Sequence, residues 1–284
     1  GTEMFEKQSQ SLAGQMLSDI DSSFQEFPTL IYDGPFSDHM TSLKPKNLTG
    51  SEISVEQAQQ KAKEFFGSDK IASIEHTGDI TSDTLPAYNM KVTFNDRPED
   101  EFATLDISKK GGHVIWMLYN RETGQDTLDV NEAKQVGMQF LKEHGYNSMK
   151  DTYYVKEDSV ATINYAYQQD GVVIYPDLIK VKVALDTGEI VGFESKGFIM
   201  NHTKRQLVSP ALTEEQARAR VNGNSDVKSV GLAVIPTKFG TEIFCYEIKG
   251  KLNDKDFLVY INAATGKEEQ VLIIIDTENG ILTM

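Results

Sequence analysis

The chain has 284 residues, a length that suits two or three small domains better than one undivided core. With 39% hydrophobic and 25% charged residues it has the make-up of an ordinary globular protein, too apolar for disorder and too polar for a membrane bundle. A formal charge of -15 repels a phosphate backbone, which excludes nucleic acid as a natural partner.

Residues 1–48 are predicted to form an N-terminal helix and a linker, the remnant of a longer helical region. Phe5, Leu12, Met16, Ile20, Phe24 and Phe27 recur at amphipathic helical spacing, and Pro28 ends the run. The linker then carries a polar and aromatic string. Asp33-Gly34-Pro35 is turn chemistry, with Tyr32 and Phe36 placed as anchors beside it. Tyr32, Asp33, Phe36 and His39 are therefore the candidate contacts, either docking the linker on a neighbouring module or touching a partner.

Three segments after the linker repeat one pattern, anchored at Ser54, Asp129 and Thr213. A large aliphatic residue precedes each anchor (Ile53, Leu128, Leu212), Gln or Glu follows three positions later (Gln57, Glu132, Gln216), and alanine stands at the fourth (Ala58, Ala133, Ala217). This is the capping box, in which cap and third residue satisfy each other's backbone amides and fix a helix start locally. Ala58, Ala62 and Phe65 in the first helix, like Ala133, Gly137 and Phe140 in the second, predict a small-residue face lying close on a sheet. Asn222-Gly223-Asn224 stops the third helix early.

After each helix the period changes from 3.6 to 2: Tyr88, Met90, Val92, Phe94; then Ile163, Tyr165, Tyr167; then Phe244, Tyr246, Ile248. Each alternation leads to a Gly-bearing hairpin, at Gly111-Gly112, Asp186-Thr187-Gly188 and Thr265-Gly266. The predicted fold class is α+β: three tandem modules at 49–124, 125–205 and 206–284, each one helix on an antiparallel sheet of about four strands.

Chemistry-bearing motifs are sparse. The only cysteine, Cys245, sits in a strand-like alternation and is predicted to be buried and inert, which leaves no disulfide and no cysteine-rich zinc site. The histidines (His39, His76, His113, His144, His202) are scattered, with no pair at helical i, i+4 spacing for a metal. Asp96, Glu99, Asp100 and Glu101 crowd a Pro-containing turn but lack the glycine-bearing spacing of a calcium loop, so a solvated hairpin tip is expected. Neither a Gly-x-Ser-x-Gly elbow nor a His-Glu-x-x-His pair occurs. Catalytic, metal and cofactor residues are accordingly expected to be none. The longest aliphatic run, residues 271–275, is far short of the roughly twenty residues of a membrane helix.

The string Leu212-Thr213-Glu214-Glu215-Gln216-Ala217 together with Tyr260-Ile261-Asn262-Ala263-Ala264-Thr265-Gly266-Lys267 resembles the PepSY domain family. The first module departs from that pattern, with Lys109-Lys110-Gly111-Gly112 in place of the Thr-Gly turn. Three such modules, the segment Phe27 to His39 and the C-terminal Thr277-Glu278-Asn279-Gly280 resemble a germination family of endospore-forming bacteria built on tandem PepSY domains. The resemblance implies a non-enzymatic protein facing the cortex from the spore inner membrane, held there by an N-terminal anchor that this chain does not carry. It also implies a partner, the spore cortex-lytic enzyme SleB, to be bound, stabilised and held inactive or localised until germination. PepSY resemblance alone implies the alternative of a protease-inhibitory protein. A homo-oligomer stays open.

Overall fold

The computed structural model describes residues 44–277 and 280–283. The predicted N-terminal helix, and Glu278 and Asn279 of the C-terminal motif, lie outside the described residues. All three capping boxes form. Ser54, Asp129 and Thr213 each accept from the backbone amide three residues on, and Gln57, Glu132 and Gln216 each accept from the cap amide. They start α1 (Val55–Phe66), α2 (Val130–Glu143) and, after the short α3 (Lys196–Asn201), α4 (Glu214–Arg218). The third capped helix is indeed the short one, at five residues.

Strands β1 (Ile71–Ile80), β2 (Ala87–Phe94), β3 (Phe102–Ser108) and β4 (Val114–Tyr119) follow α1, and β5 (Met149–Glu157), β6 (Val160–Gln169), β7 (Val172–Ala184) and β8 (Ile190–Glu194) follow α2. After α4 come β9 (Asp226–Pro236), β10 (Glu242–Leu252), β11 (Lys255–Asn262), β12 (Glu268–Thr277) and β13 (Gly280–Thr283). One hairpin geometry recurs three times. Ser108, Ala184 and Asn262 each donate to the carbonyl five residues on, and Gly112, Gly188 and Gly266 each donate back to the carbonyl four residues earlier. These glycines hold φ of 66°, 78° and 74°, the left-handed region that a side chain resists. Each hairpin also receives the segment just before a capped helix: Ile53 donates to Lys109, Leu128 to Leu185 and Leu212 to Ala263.

The sheets do not stand apart. All thirteen strands belong to one sheet of order β1-β2-β3-β4-β8-β7-β6-β5-β13-β12-β11-β10-β9. α1 and α2 cover one face of its first part and share a core in which Ala58, Ala62, Ala133 and Leu141 are fully buried with Met90, Leu105, Ile163 and Val181. Gly137 is needed there, since a Cβ would stand 2.2 Å from Tyr165 Oη, whose hydroxyl donates to Lys134 O.

An all-antiparallel arrangement does not hold throughout. β7 keeps β6 beside it to its start but outruns β8, and its first residues, Val172 to Ile174, pair in parallel with Leu232 to Val234 of β9. Residues 175–177 bulge out of β7, because Ala166 faces Leu178 while Tyr167 faces Ile174. Pro176, which has no amide to give the ladder, sits in that bulge. The bend turns β7 from one part of the sheet to the other. With the β13–β5 pairing at Gly280 and Val155, eight strands thereby close a ring. Inside it pack Tyr153, Tyr175, Leu178, Ile235, Cys245, Leu258 and Tyr260.

Candidate functional site

Tyr32, Asp33, Phe36 and His39 lie outside the described residues. Among the described residues no group of three or more His, Cys, Asp or Glu could hold a metal ion. The four described histidines bond to protein groups: His76 to Asp79, His113 to Thr49 O, His144 to two carbonyls and His202 to Asp177. The turn of Asp96, Glu99 and Asp100 is exposed, with Glu101 partly covered. Cys245 is fully buried, and burial pushes its thiol up to about 12.

Three other constellations stand out, each at a joint. The first is Arg121, in the segment between β4 and α2. Its guanidinium donates twice to Asp186, at 2.9 Å for both bonds, and through Nε to Glu189 at 2.5 Å. Thr187 Oγ1 accepts at 2.9 Å, and the Gly124 amide donates to Asp186. The Arg121 guanidinium holds the Asp186 carboxyl well below the usual carboxylate range.

The second is Arg205, in the segment between α3 and α4. It donates twice to Asp177 in the β7 bulge, at 2.8 Å for both bonds, and twice to Glu242 at the start of β10, at 2.8 and 2.7 Å. Asp177 is wholly inaccessible and is also approached by His202 Nδ1 at 2.7 Å. Asn201 fastens the same bulge from α3, donating to Pro176 O. On the far side of the bulge, within the ring, Tyr175 and Tyr260 hydroxyls both donate to Glu247, and burial holds both phenols far above their ordinary range.

The third lies where α1 and α2 end together. His144 has its ring nitrogens 2.7 Å from Phe140 O and 3.0 Å from Phe65 O, tying the last turns of both helices. Phe65 meets Phe140 and Phe193 edge to face. Two adjoining cavities of about 500 and 560 Å³ run along α2 and across to α1, with Glu143 in both walls.

Sequence reasoning passed over Arg121, Asp177, Arg205 and Glu242. Their partners are 28 to 68 residues away, so no local spacing announces them. A usable signal existed in composition. The chain has only five arginines among 28 basic residues, and two stand alone in the segments between repeats, where a forked donor is worth more than a lysine.

Comparisons with known proteins give the family. Residues 13–208 match the family described as YpeB sporulation, PepSY1 and PepSY2 domains. The chain belongs to the YpeB family. Residues 211–271 match the family described as peptidase propeptide and YPEB domain. Among relatives named sporulation protein YpeB, that of Halalkalibacterium halodurans is 35% identical over 83% of this chain, and that of Bacillus subtilis 32% identical over 94%. These matches cover 52% and 59% of the two relatives, so the chain spans little more than half their length. The solved Bacillus megaterium YpeB C-terminal domain is similar at a TM-score of 0.70 and 30% identity, covering 80% of this chain and all of that one. The family is one of sporulation, and its PepSY domains have the mixed α+β architecture found here. Among the described residues no helix is long and apolar enough to cross a membrane.

Proposed function

We infer that this chain is a non-enzymatic binding protein of spore germination whose partner is the spore cortex-lytic enzyme SleB, which it stabilises and holds inactive or localises until germination. Membership in the YpeB sporulation family carries the reading. The joints support it: modules locked to one another present one continuous surface, and several weak contacts on one rigid body add through effective concentration. In this reading the modules are 49–124, 125–205 and 206–284, preceded by helix and linker, and Tyr32, Asp33, Phe36 and His39 are partner contacts. The whole protein sits at the spore inner membrane facing the cortex, anchored by a segment preceding this chain.

The test is association of purified chain and purified cortex-lytic enzyme at micromolar concentration. Co-elution, with a higher melting temperature for both proteins, is expected, since a ligand of the folded state stabilises it reciprocally. Absence of co-elution and unchanged melting of both proteins would overturn the reading. The peptidase-propeptide description of residues 211–271 favours one second reading, a protease-inhibitory protein. That reading requires stoichiometric inhibition of a purified metalloprotease.

A further inference from the structure

We propose that the groove along α2 and across to α1 docks a cationic amphipathic helix of another protein, about three turns long. The groove has an apolar floor and an acidic rim. Val136, Phe140 and Ile190 are half-buried along its base, while Glu132, Gln135, Gln139 and Glu143 stand exposed along its edge. Glu132 and Glu143 lie eleven positions apart on one helix, about 17 Å at 1.5 Å per residue, which sets the length of the occupant.

Its electrostatics are most negative at the end where the two helices stop. Glu64 extends the acidic rim beyond Glu143, and the one cation lining either cavity, Lys61, is already bonded to Glu64 at 3.3 Å. Both helices also end at this place, so the negative ends of two helix dipoles converge on it. An amphipathic helix laid in such a groove gains from its apolar face and from lysines or arginines on its flanks.

Charge also decides between occupants. Residues 1–43 carry seven acidic residues against a single lysine, and the whole chain carries -15, so neither its own N-terminal segment nor a second copy complements the rim. A basic partner does. The proposal stands apart from the identity of the enzyme partner, because it names only the chemistry of the docked segment.

The test uses the full 284-residue chain and three labelled twelve-residue peptides in fluorescence anisotropy. One is an amphipathic Lys/Leu helix, one its Glu/Leu counterpart, and one a Lys/Ser peptide of equal charge without an apolar face. The Lys/Leu peptide is expected to bind saturably at micromolar concentration, and the other two at least about tenfold more weakly. Glu64→Lys with Glu143→Lys, both on the rim and clear of the α2 cap, is expected to weaken binding about tenfold. Glu215→Lys with Asp226→Lys makes the same change of net charge at exposed positions elsewhere and should leave binding within about twofold. All four positions are exposed, so folding is preserved, which circular dichroism melting verifies. No saturable binding, equal loss from both variant pairs, or equal affinity of the Lys/Ser or Glu/Leu peptide would overturn the proposal. The assay contains no cortex-lytic enzyme, so its failure leaves the proposed function standing, and the failure of that reading leaves this groove intact.

Discussion

Arg205→Ala is the sharpest perturbation of the joint at the β7 bulge. It removes four charge-assisted hydrogen bonds at 2.7–2.8 Å, two to Asp177 and two to Glu242. The two carboxylates respond differently. Glu242 keeps 28% of its side chain in water and rehydrates, so its share of the loss is under about 1 kcal/mol. Asp177 has no exposure and keeps only His202 as a hydrogen-bonding side-chain neighbour. Leaving a buried carboxylate without its main partner costs about 3–5 kcal/mol, and His202 keeps this case near the lower end.

A loss of about 3 kcal/mol lowers the melting temperature by roughly 6–12 °C for a chain of this size class. Calorimetry would read it directly, and a melt that splits in two would show the last module unfolding on its own. Glu242→Ala should lower melting by less than about 3 °C. Asp177→Asn with Arg205→Met, which removes the stranded charge along with its partner, should recover at least half of the Arg205→Ala loss. If Arg205→Ala melts within about 2 °C of the parent, or Glu242→Ala costs as much, the burial argument fails.

Gly137→Ala should destabilise by about 1–3 kcal/mol in denaturant titration, although alanine is the better helix former, because its methyl would stand 2.2 Å from Tyr165 Oη. Adding Tyr165→Phe should return part of the loss. Cys245, its thiol raised to about 12 by burial, should react with a disulfide reagent at pH 8 far more slowly in the native chain than in denaturant. Because that folded value lies above the unfolded one, the thiol's contribution is intact below about pH 9 and is lost as pH rises further. The Asp186 carboxyl is depressed by Arg121, so its contribution is present above the unfolded value near 3.9 and fades as pH falls through the lower folded value. The stability gap between the parent and Asp186→Asn should therefore narrow in acid, and a gap that stays constant from pH 6 to pH 2 would contradict the ion pair.

What was legible in the sequence is what short-range chemistry dictates. A capping box needs partners three residues apart, and the Ser54, Asp129 and Thr213 boxes all form. Hairpin glycines and the alanines under α1 and α2 are local for the same reason. The six-residue α3 carries no such mark: Ser195 at its start donates to Val114 O and caps nothing. Tyr88 and Tyr246 are placed by alternation, but that their hydroxyls clasp Ile53 O and Leu212 O, the carbonyls just before two of the caps, depends on the helix crossing its own sheet. Fusion of the sheets through β4 and β8, and the parallel meeting of β7 with β9, rest on pairings between repeats, which periodicity within a repeat does not encode.

Both joints between repeats use a nearly buried arginine, and the reason lies in what a joint must fix. Apolar packing is non-directional and tolerates sliding, whereas a guanidinium bonded in pairs accepts few orientations. Arg121 takes Asp186 and Glu189 from the β7–β8 turn, and Arg205 takes Asp177 and Glu242 from two different strands, so each sets an angle as well as a distance. For the binding function proposed above this is the quantity that matters. A second contact gains from the first only if the spacing between them matches the partner, and a loose joint would spread that spacing over many values. Under that proposal the two arginines serve recognition through the geometry they fix between repeats.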